Sequence, residues 1–431
     1  MEFNREDNKQ RIEELYKYFL LNPSITTDSR NIKKGDIFFA LNGESFNGNK
    51  YAPSALEMGA SLCVVDEKEY AINDKYFLVE DVLYTLQLLS NHHRRQFPDL
   101  KLLAITGTNG KTTTKELTHA VISQKYNTIA TQGNFNNHIG VPLTLLRITP
   151  QTEFAIIEMG ANHQGEIDFL CKIAEPKYGL ITNIGRAHLE GFGGFEGVIK
   201  TKTELFRYLD RENHFAIINM DDNSLSNYSK EHKNLTYKYS LTNKINSETA
   251  KLDFEGHIIN SKLIGSYNSH NILAAMTIGK IFEVDLNLSI KAIEDYTPTN
   301  HRSQIQKTKD NTLILDCYNA NPSSLMVALQ DFQALKADNK YAFIGAMKEL
   351  GEESKKEHKN IVDILRSINL KGVILIGEEF EEFEKDKKDN EIYFKTSSLA
   401  KDYLLDNKIK GGTILIKGSH STKMDVLSDA L

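Results

Sequence analysis

The chain has 431 residues, of which 40% are hydrophobic and 26% charged, and it carries a formal net charge of −6. These proportions are those of an ordinary soluble globular protein, and at roughly 150 residues per domain the length suggests about three domains. The negative balance argues against a general nucleic-acid binder, which would be basic, although a locally basic site can still take an anionic substrate.

Met1 to Gln10 is polar and charged, and no apolar stretch of the secretory kind follows it. Ile12, Leu15, Tyr16, Phe19 and Leu20 recur at helical spacing, which predicts an amphipathic helix ending near Asn22-Pro23 and packing on a core. No run approaches the roughly 18 apolar residues of a membrane span, so a cytoplasmic protein with no membrane partner is expected. Cys63, Cys171 and Cys317 lie far apart and match no metal spacing; reduced, partly buried thiols are expected. The rest of the first section, to about residue 97, mixes strands (Asp36 to Leu41, Leu62 to Val65, Tyr76 to Val79) with helices (Ala52 to Gly59, Val82 to Arg95). Phe97-Pro98-Asp99 reads as a linker.

The second section runs from about Leu100 to Thr297 and opens on the most informative stretch of the chain. The apolar run Leu102 to Ile105 leads into Thr106-Gly107-Thr108-Asn109-Gly110-Lys111-Thr112-Thr113-Thr114, and a helix is predicted over Lys115 to Ser123. Strand, glycine-rich turn and helix form the setting in which backbone N–H groups cradle phosphate at a helix N-terminus. Lys111 would reach the outer phosphates, and the Thr112 hydroxyl would hold magnesium. One departure from GxxxxGK[ST] is that Ile105 stands where the first glycine would be. A nucleoside triphosphate is the expected ligand; a Gly-Lys-Thr turn with no ATP is the bland reading.

Further strands are predicted at Ala155–Glu158, Tyr178–Thr182 and Phe215–Asn219, alternating with helices, which indicates a mainly parallel α/β sheet. Short alternating runs between Leu235 and Leu263 look like antiparallel strands on its edge. Glu158 closes a buried strand at the edge where open α/β sheets bind ligands. It can sit opposite Thr112 as an oxygen ligand for magnesium, or it is only a strand-end acid. His188, in a glycine-bearing loop after the next strand, is either a ligand or structural. Lys200 to Phe206 reads as a charged helix whose chemistry its spacing does not reveal.

The third section begins near Pro298 to Arg302. Strands at Thr312–Asp316, Tyr341–Gly345, Gly372–Ile376 and Thr413–Ile416, separated by helices, describe a second doubly wound unit. Glu378 to Glu391, dense in both charges, reads as a solvated helix or loop rather than a recognition patch.

Several segments together resemble the Mur ligase family. They are Thr106 to Thr112, Glu158-Met159-Gly160, Asn183 to His188, Lys202-x-x-Leu205-Phe206, Asn268-x-x-Asn271 and His301-Arg302. Within that family, Thr27 to Arg30, Gly35 to Leu41, Gly133 to Thr144, Asp316 to Pro322 and Gly345 to Gly351 favour one activity. It is ATP-dependent addition of D-alanyl-D-alanine to UDP-N-acetylmuramoyl-tripeptide in peptidoglycan precursor synthesis. No Asn-Pro-Arg motif of the kind usual in third-residue ligases occurs.

The resemblance implies three domains: 1–97 for the UDP substrate, 98–298 a phosphate-loop ATPase domain, and 299–431 a Rossmann-like domain. It implies that Gly107, Thr108, Asn109, Gly110, Lys111, Thr112 and Thr113 hold the ATP phosphates. Thr112 and Glu158 would ligate one Mg2+, and His188 with a carbamylated Lys202 would support a second. Asn271 would lie near adenine, Asp316 at the ribose, and Arg302 would reach the triphosphate from the third domain. Ser29, Arg30 and the Phe46-Asn47-Gly48 loop would hold the uridine nucleotide, with Asn136 and Asn137 also at the substrate. Tyr267 and His138 depart from the residues many relatives have, a histidine and an acid. A monomer is the default. The competing readings are a ligase of the same superfamily acting on folate or another stem position, a simple phosphate-loop kinase or hydrolase, and a non-catalytic nucleotide-binding homologue.

Overall fold

The computed structural model describes residues 6–231, 236–242, 245, 249–298 and 304–431. His301 and Arg302 lie outside them. The N-terminal helix spans Glu6–Leu21 and buries Ile12, Leu15 and Phe19, while Leu20 is turned to solvent. It packs, with the helix Val82–Arg95, on a parallel sheet of four short strands in the order β1 (Ile25–Thr26), β2 (Ile37–Phe39), β3 (Leu62–Val65) and β4 (Tyr76–Leu78).

The central sheet is parallel throughout. Its strands are β5 (Lys101–Thr106), β6 (Thr128–Ala130), β7 (Phe154–Glu158), β8 (Tyr178–Ile181), β9 (Phe215–Asn219) and β10 (Thr236–Tyr239), ordered β10-β9-β8-β5-β7-β6. Along β5, Leu102 and Ala104 enter one apolar cluster and Leu103 and Ile105 another, so both faces are covered. That is why the strand reads as continuous hydrophobics rather than alternation. The chain leaves β5 towards β7 and β6 on one side, then crosses to β8 on the other. The loops after β5, β7 and β8 therefore open together at a switch point, the usual place for a ligand crevice.

Two expectations are corrected here. The helix after the glycine-rich turn is Lys111–Ile122, beginning four residues before the expected start. Three consecutive threonines, weak helix formers, conceal a first turn that the left-handed Gly110 caps. The 235–263 region does not supply antiparallel edge strands to the main sheet. β10 joins it in parallel beside β9, and β11 (Thr249–Phe254) with β12 (His257–Ile264) makes a separate antiparallel pair. That pair buries Leu252, Ile259 and Leu263 in the cluster shared with the helix Asn268–Ile281.

The third sheet comprises β13 (Gln304–Lys307), β14 (Thr312–Asp316), β15 (Lys340–Gly345), β16 (Gly372–Ile376), β17 (Glu391–Phe394) and β18 (Thr413–Lys417), in the order β13-β14-β18-β15-β16-β17. Only β13 is antiparallel. β13 and β17 were not foreseen: both are short edge strands, β13 with exposed polar positions and β17 following the charge-dense segment directly. Residues Glu378–Asp386 form 3-10 turns that bury Phe380 and leave charges paired with Lys355 and Lys395 at the surface, in keeping with a solvated segment. One apolar cluster runs from the Leu102 and Ala104 face of the central sheet to the Ala342 and Ile344 face of the third. No helix among the described residues is long and apolar enough to cross a membrane. All three cysteines are free and buried.

Candidate active site

A cavity of about 1860 Å³ lies between the carboxyl ends of the central and third sheets. The turn after β5 forms its floor. Gly107 (φ +142°) and Gly110 (φ +80°) hold conformations that side chains disfavour. A Cβ on Gly107 would stand 2.0 Å from Thr182 Oγ1, and one on Gly110 2.5 Å from Asn271 Oδ1. The turn is also tied to the loop after β8. Thr108 N donates to Asn183 O (3.0 Å), Asn109 N to Asn183 Oδ1 (3.0 Å), and Thr182 Oγ1 and Asn183 Nδ2 to Asn109 O (2.6 and 2.9 Å). Lys111 Nζ donates to Gly107 O (2.8 Å) and Thr108 O (3.1 Å). The loop carbonyls thus hold the ammonium against the turn, at the helix N-terminus that favours anions.

Glu158, at the end of β7, is almost wholly buried. Its Oε1 accepts Thr112 Oγ1 (3.2 Å) and Asn136 Nδ2 (2.9 Å), while Oε2 is buried with no hydrogen-bond partner. A buried carboxylate oxygen left unsatisfied costs energy unless a cation answers it; Lys115 Nζ stands 3.9 Å from Oε2, which leaves Oε1 beside Thr112 for a metal. Among the described residues, no group of three or more histidine, cysteine or acidic side chains gathers as a metal cage. One hydroxyl and one carboxylate beside a phosphate cradle suit magnesium, which keeps waters and takes phosphate oxygens.

His188 caps the short helix Leu189–Phe192 in a left-handed conformation (φ +51°), and its Nδ1 pairs with Glu349 of the third section. Burial lowers its pKa, opposed by the Glu349 charge. Lys202 ends the helix Phe195–Lys202, is only 2% exposed, and has the Phe192 ring 5.3 Å from Nζ. Burial, reinforced by the charge of Lys111, pushes its pKa down to about 7. The amine needed to capture carbon dioxide is therefore well populated near neutrality.

This shift carries a stability prediction. In the folded protein Lys202 loses its proton near pH 7, against an ordinary value of 10.5. The unfolded chain then binds more protons between those values, and stability rises with pH across that window. Lys202→Met is expected to be more stable than the wild type at pH 7 by on the order of a few kcal/mol in carbon-dioxide-free buffer. The gap should narrow as the pH is raised towards 10. Denaturant titrations at several pH values measure it; a constant gap would contradict the depressed pKa.

Asn271 Oδ1 accepts Thr114 Oγ1 (3.1 Å), which seats it against the phosphate turn. Asp316, ending β14, pairs with the buried Lys417 that ends β18. Asn321, which caps the helix Pro322–Ala334, donates from Nδ2 to Asn109 Oδ1 (2.8 Å), so the third section touches the turn directly. Arg186 N donates to Ser323 Oγ (2.8 Å), and its guanidinium pairs with Glu357 (3.0 Å) and Glu353 (3.3 Å). The cavity thus gathers Thr108 to Thr113, Asn136, Asn137, Glu158, His188, Asn271 and Asp316.

Ser29, Arg30, Phe46, Asn47 and Gly48 do not line it. Arg30 is exposed and doubly bonded to Asp28 (2.8 and 2.9 Å), Phe46 is exposed, and Asn47 Nδ2 donates to Glu67 (2.7 Å). They belong to the first section. Sequence reasoning missed Asn321, Arg186 and the fully buried Lys115. Arg186 and Asn321 lie inside segments that carry the resemblance but receive no role from it, and the signal of Lys115 is its spacing of one helical turn from Lys111 and Thr112.

Comparison with known proteins agrees across the chain. The description "Mur ligase family, catalytic domain" matches residues 23–97, "Mur ligase middle domain" matches 105–279, and "Mur ligase, glutamate ligase domain" matches 301–420. The chain is 34% identical to the UDP-N-acetylmuramoyl-tripeptide–D-alanyl-D-alanine ligase of Haemophilus influenzae, over 93% of this chain and 92% of that protein. Among solved structures, MurF from Acinetobacter baumannii superposes with a TM-score of 0.85 at 29% identity, covering 94% of this chain and 92% of the other. MurF from Thermotoga maritima in complex with ADP gives 0.83 at 27%, covering 95% and 97%.

Proposed function

The chain belongs to the Mur ligase family, and we infer from that premise that it joins D-alanyl-D-alanine to UDP-N-acetylmuramoyl-tripeptide with cleavage of ATP to ADP and phosphate, in peptidoglycan precursor synthesis. The observation that carries this is the full-length match to ligases of that activity, third section included. The cavity supports it, since residues of both the phosphate turn and the third section line it.

A terminal carboxylate of the tripeptide attacks the γ-phosphorus of ATP, and ADP leaves. The amine of D-alanyl-D-alanine then attacks the acyl phosphate carbon, giving the amide, with phosphate as leaving group and loss of the amine proton. The protein must bring together anions that repel one another and stabilise charge on the transferred phosphoryl group. Lys111 and the amides of Gly107 to Thr113 hold the phosphates. Thr112 and Glu158 hold one Mg2+, and His188 with a carbamylated Lys202 supports a second. These ions supply charge neutralisation at the phosphoryl oxygens. Asn271 lies beside adenine, Asp316 binds the ribose, and Arg302 reaches the triphosphate. Ser29, Arg30 and Phe46 to Gly48 bind the uridine nucleotide at a distance from the reaction, and Asn136 and Asn137 face the peptide end. Contacts such as Asn109 to Asn321 tie the third domain to the phosphate turn, and closure of the domains over the cavity would keep water from the acyl phosphate. The domains divide at 1–97, 98–298 and 299–431, and the protein acts as a cytoplasmic monomer.

The test mixes purified protein with ATP, magnesium, UDP-N-acetylmuramoyl-tripeptide and D-alanyl-D-alanine and omits each in turn. Phosphate release that requires both the tripeptide nucleotide and the dipeptide is expected. Release with ATP alone would indicate a hydrolase, and none at all would point to another acceptor.

A further inference from the structure

Lys115 is 0% exposed and does not itself line the cavity, although Glu116 and Glu158 beside it do. Burying an ammonium costs several kcal/mol unless it is well partnered, so its partners indicate what it is for. Nζ donates to the main-chain oxygen of Thr131 (2.6 Å) and pairs with Glu116 Oε1 (2.9 Å). It also stands 3.9 Å from Glu158 Oε2, the carboxylate oxygen with no hydrogen bond. Thr131 closes the arrangement, because its Oγ1 accepts the main-chain N–H of Glu158 (2.9 Å). One residue therefore anchors both the ammonium and the backbone of the acid.

The two oxygens of Glu158 face different partners. Oε2 faces Lys115, while Oε1 is presented beside Thr112 Oγ1, 3.2 Å away. That separation is close to an edge of an octahedron with ligands at about 2.1 Å. Lys115 lies four residues after Lys111 and three after Thr112 on the same helix, so the phosphate turn and the acid's counter-charge move as one rigid unit.

We propose that Lys115 is a positioning residue that holds Glu158 Oε2 through its buried ammonium and so presents Oε1, with Thr112 Oγ1, as a preformed edge for a divalent cation. This rests on the reading of Glu158 as a metal ligand. Lys115 acts through Glu158 and touches neither metal nor nucleotide.

The test is a manganese titration of the full-length protein with ADP present, followed by the electron paramagnetic resonance signal of the free ion. Lys115→Met keeps the stem and removes the charge, leaving the buried Glu158 without its counter-charge. Lys115→Gln keeps a donor for Thr131. Both are expected to weaken manganese binding by about tenfold to a hundredfold, the usual cost of losing a partner that orients a ligand. The melting temperature should fall, because a buried carboxylate loses its counter-charge, while both variants stay folded at the assay temperature and metal-free ADP affinity stays as in the wild type. Glu158→Gln with Lys115→Met should bind manganese no more weakly than Glu158→Gln alone, because the two act as a unit. Wild-type manganese affinity in folded Lys115 variants, with Glu158→Gln impaired, overturns the proposal and leaves the Glu158 assignment standing. An unimpaired Glu158→Gln overturns both. Loss of the fold in both Lys115 variants also overturns it, by making Lys115 a folding residue.

Discussion

Lys111→Ala is expected to fold normally and yet release phosphate about a thousandfold more slowly than the wild type, or not at all, with UDP-N-acetylmuramoyl-tripeptide and D-alanyl-D-alanine present. Lys111 is half-buried and its ammonium rests on Gly107 O and Thr108 O. The side chain is only partly buried and belongs to no apolar cluster, so the cost to the fold is small. The cost to catalysis is large, because that charge is the one cation the turn itself points at the outer phosphates, where negative charge develops as the phosphoryl group moves. Circular dichroism and melting temperature check the fold, and phosphate release checks the chemistry. Turnover unchanged in a folded variant would remove the phosphate role from Lys111.

Lys202→Ala is expected to lose activity to a similar degree and to recover part of it when a small carboxylate such as acetate or formate is added. The physical basis is the site's demand for an anion. Lys202 is buried against Phe192, and its proton is held weakly. As an ammonium it would repel Lys111 and any cation at His188; as a carbamate it carries the opposite charge and two oxygens. The alanine variant leaves a space that a carboxylate of similar shape can enter, restoring the charge without the tether. Recovery should saturate with carboxylate concentration, and chloride at equal ionic strength should give none. Full activity without rescue would refute the carbamate, and loss with no rescue by any small carboxylate would favour a role in packing alone.

The helix start at Lys111, the placement of β10 and the edge strands β13 and β17 separate what local sequence carries from what it does not. Local propensity over Thr112 to Thr114 is poor, and the helix begins there because Gly110 caps it and Leu117 and Val121 pack on the sheet. β10 is short and largely open to solvent (its burial runs intermediate, exposed, exposed, buried). Nothing in such a pattern distinguishes a parallel from an antiparallel neighbour, since the partner is chosen by the crossover and not by the strand. Asn109 and Asn321 are 212 positions apart, so no window on the chain contains both.

The sequence by itself determined the phosphate turn, the strand-end position of Glu158 and the alternation that makes two mainly parallel sheets. Each is a short-range matter of glycine conformations, apolar periodicity and the strand–turn–helix order. Only the tertiary structure decided that Lys115 is buried behind Glu158, that Lys202 is deep enough to lose its proton near neutrality, and that the third section meets the turn through Asn321. Burial, desolvation and side-chain pairing depend on what folds over a residue, and that material comes from distant parts of the chain.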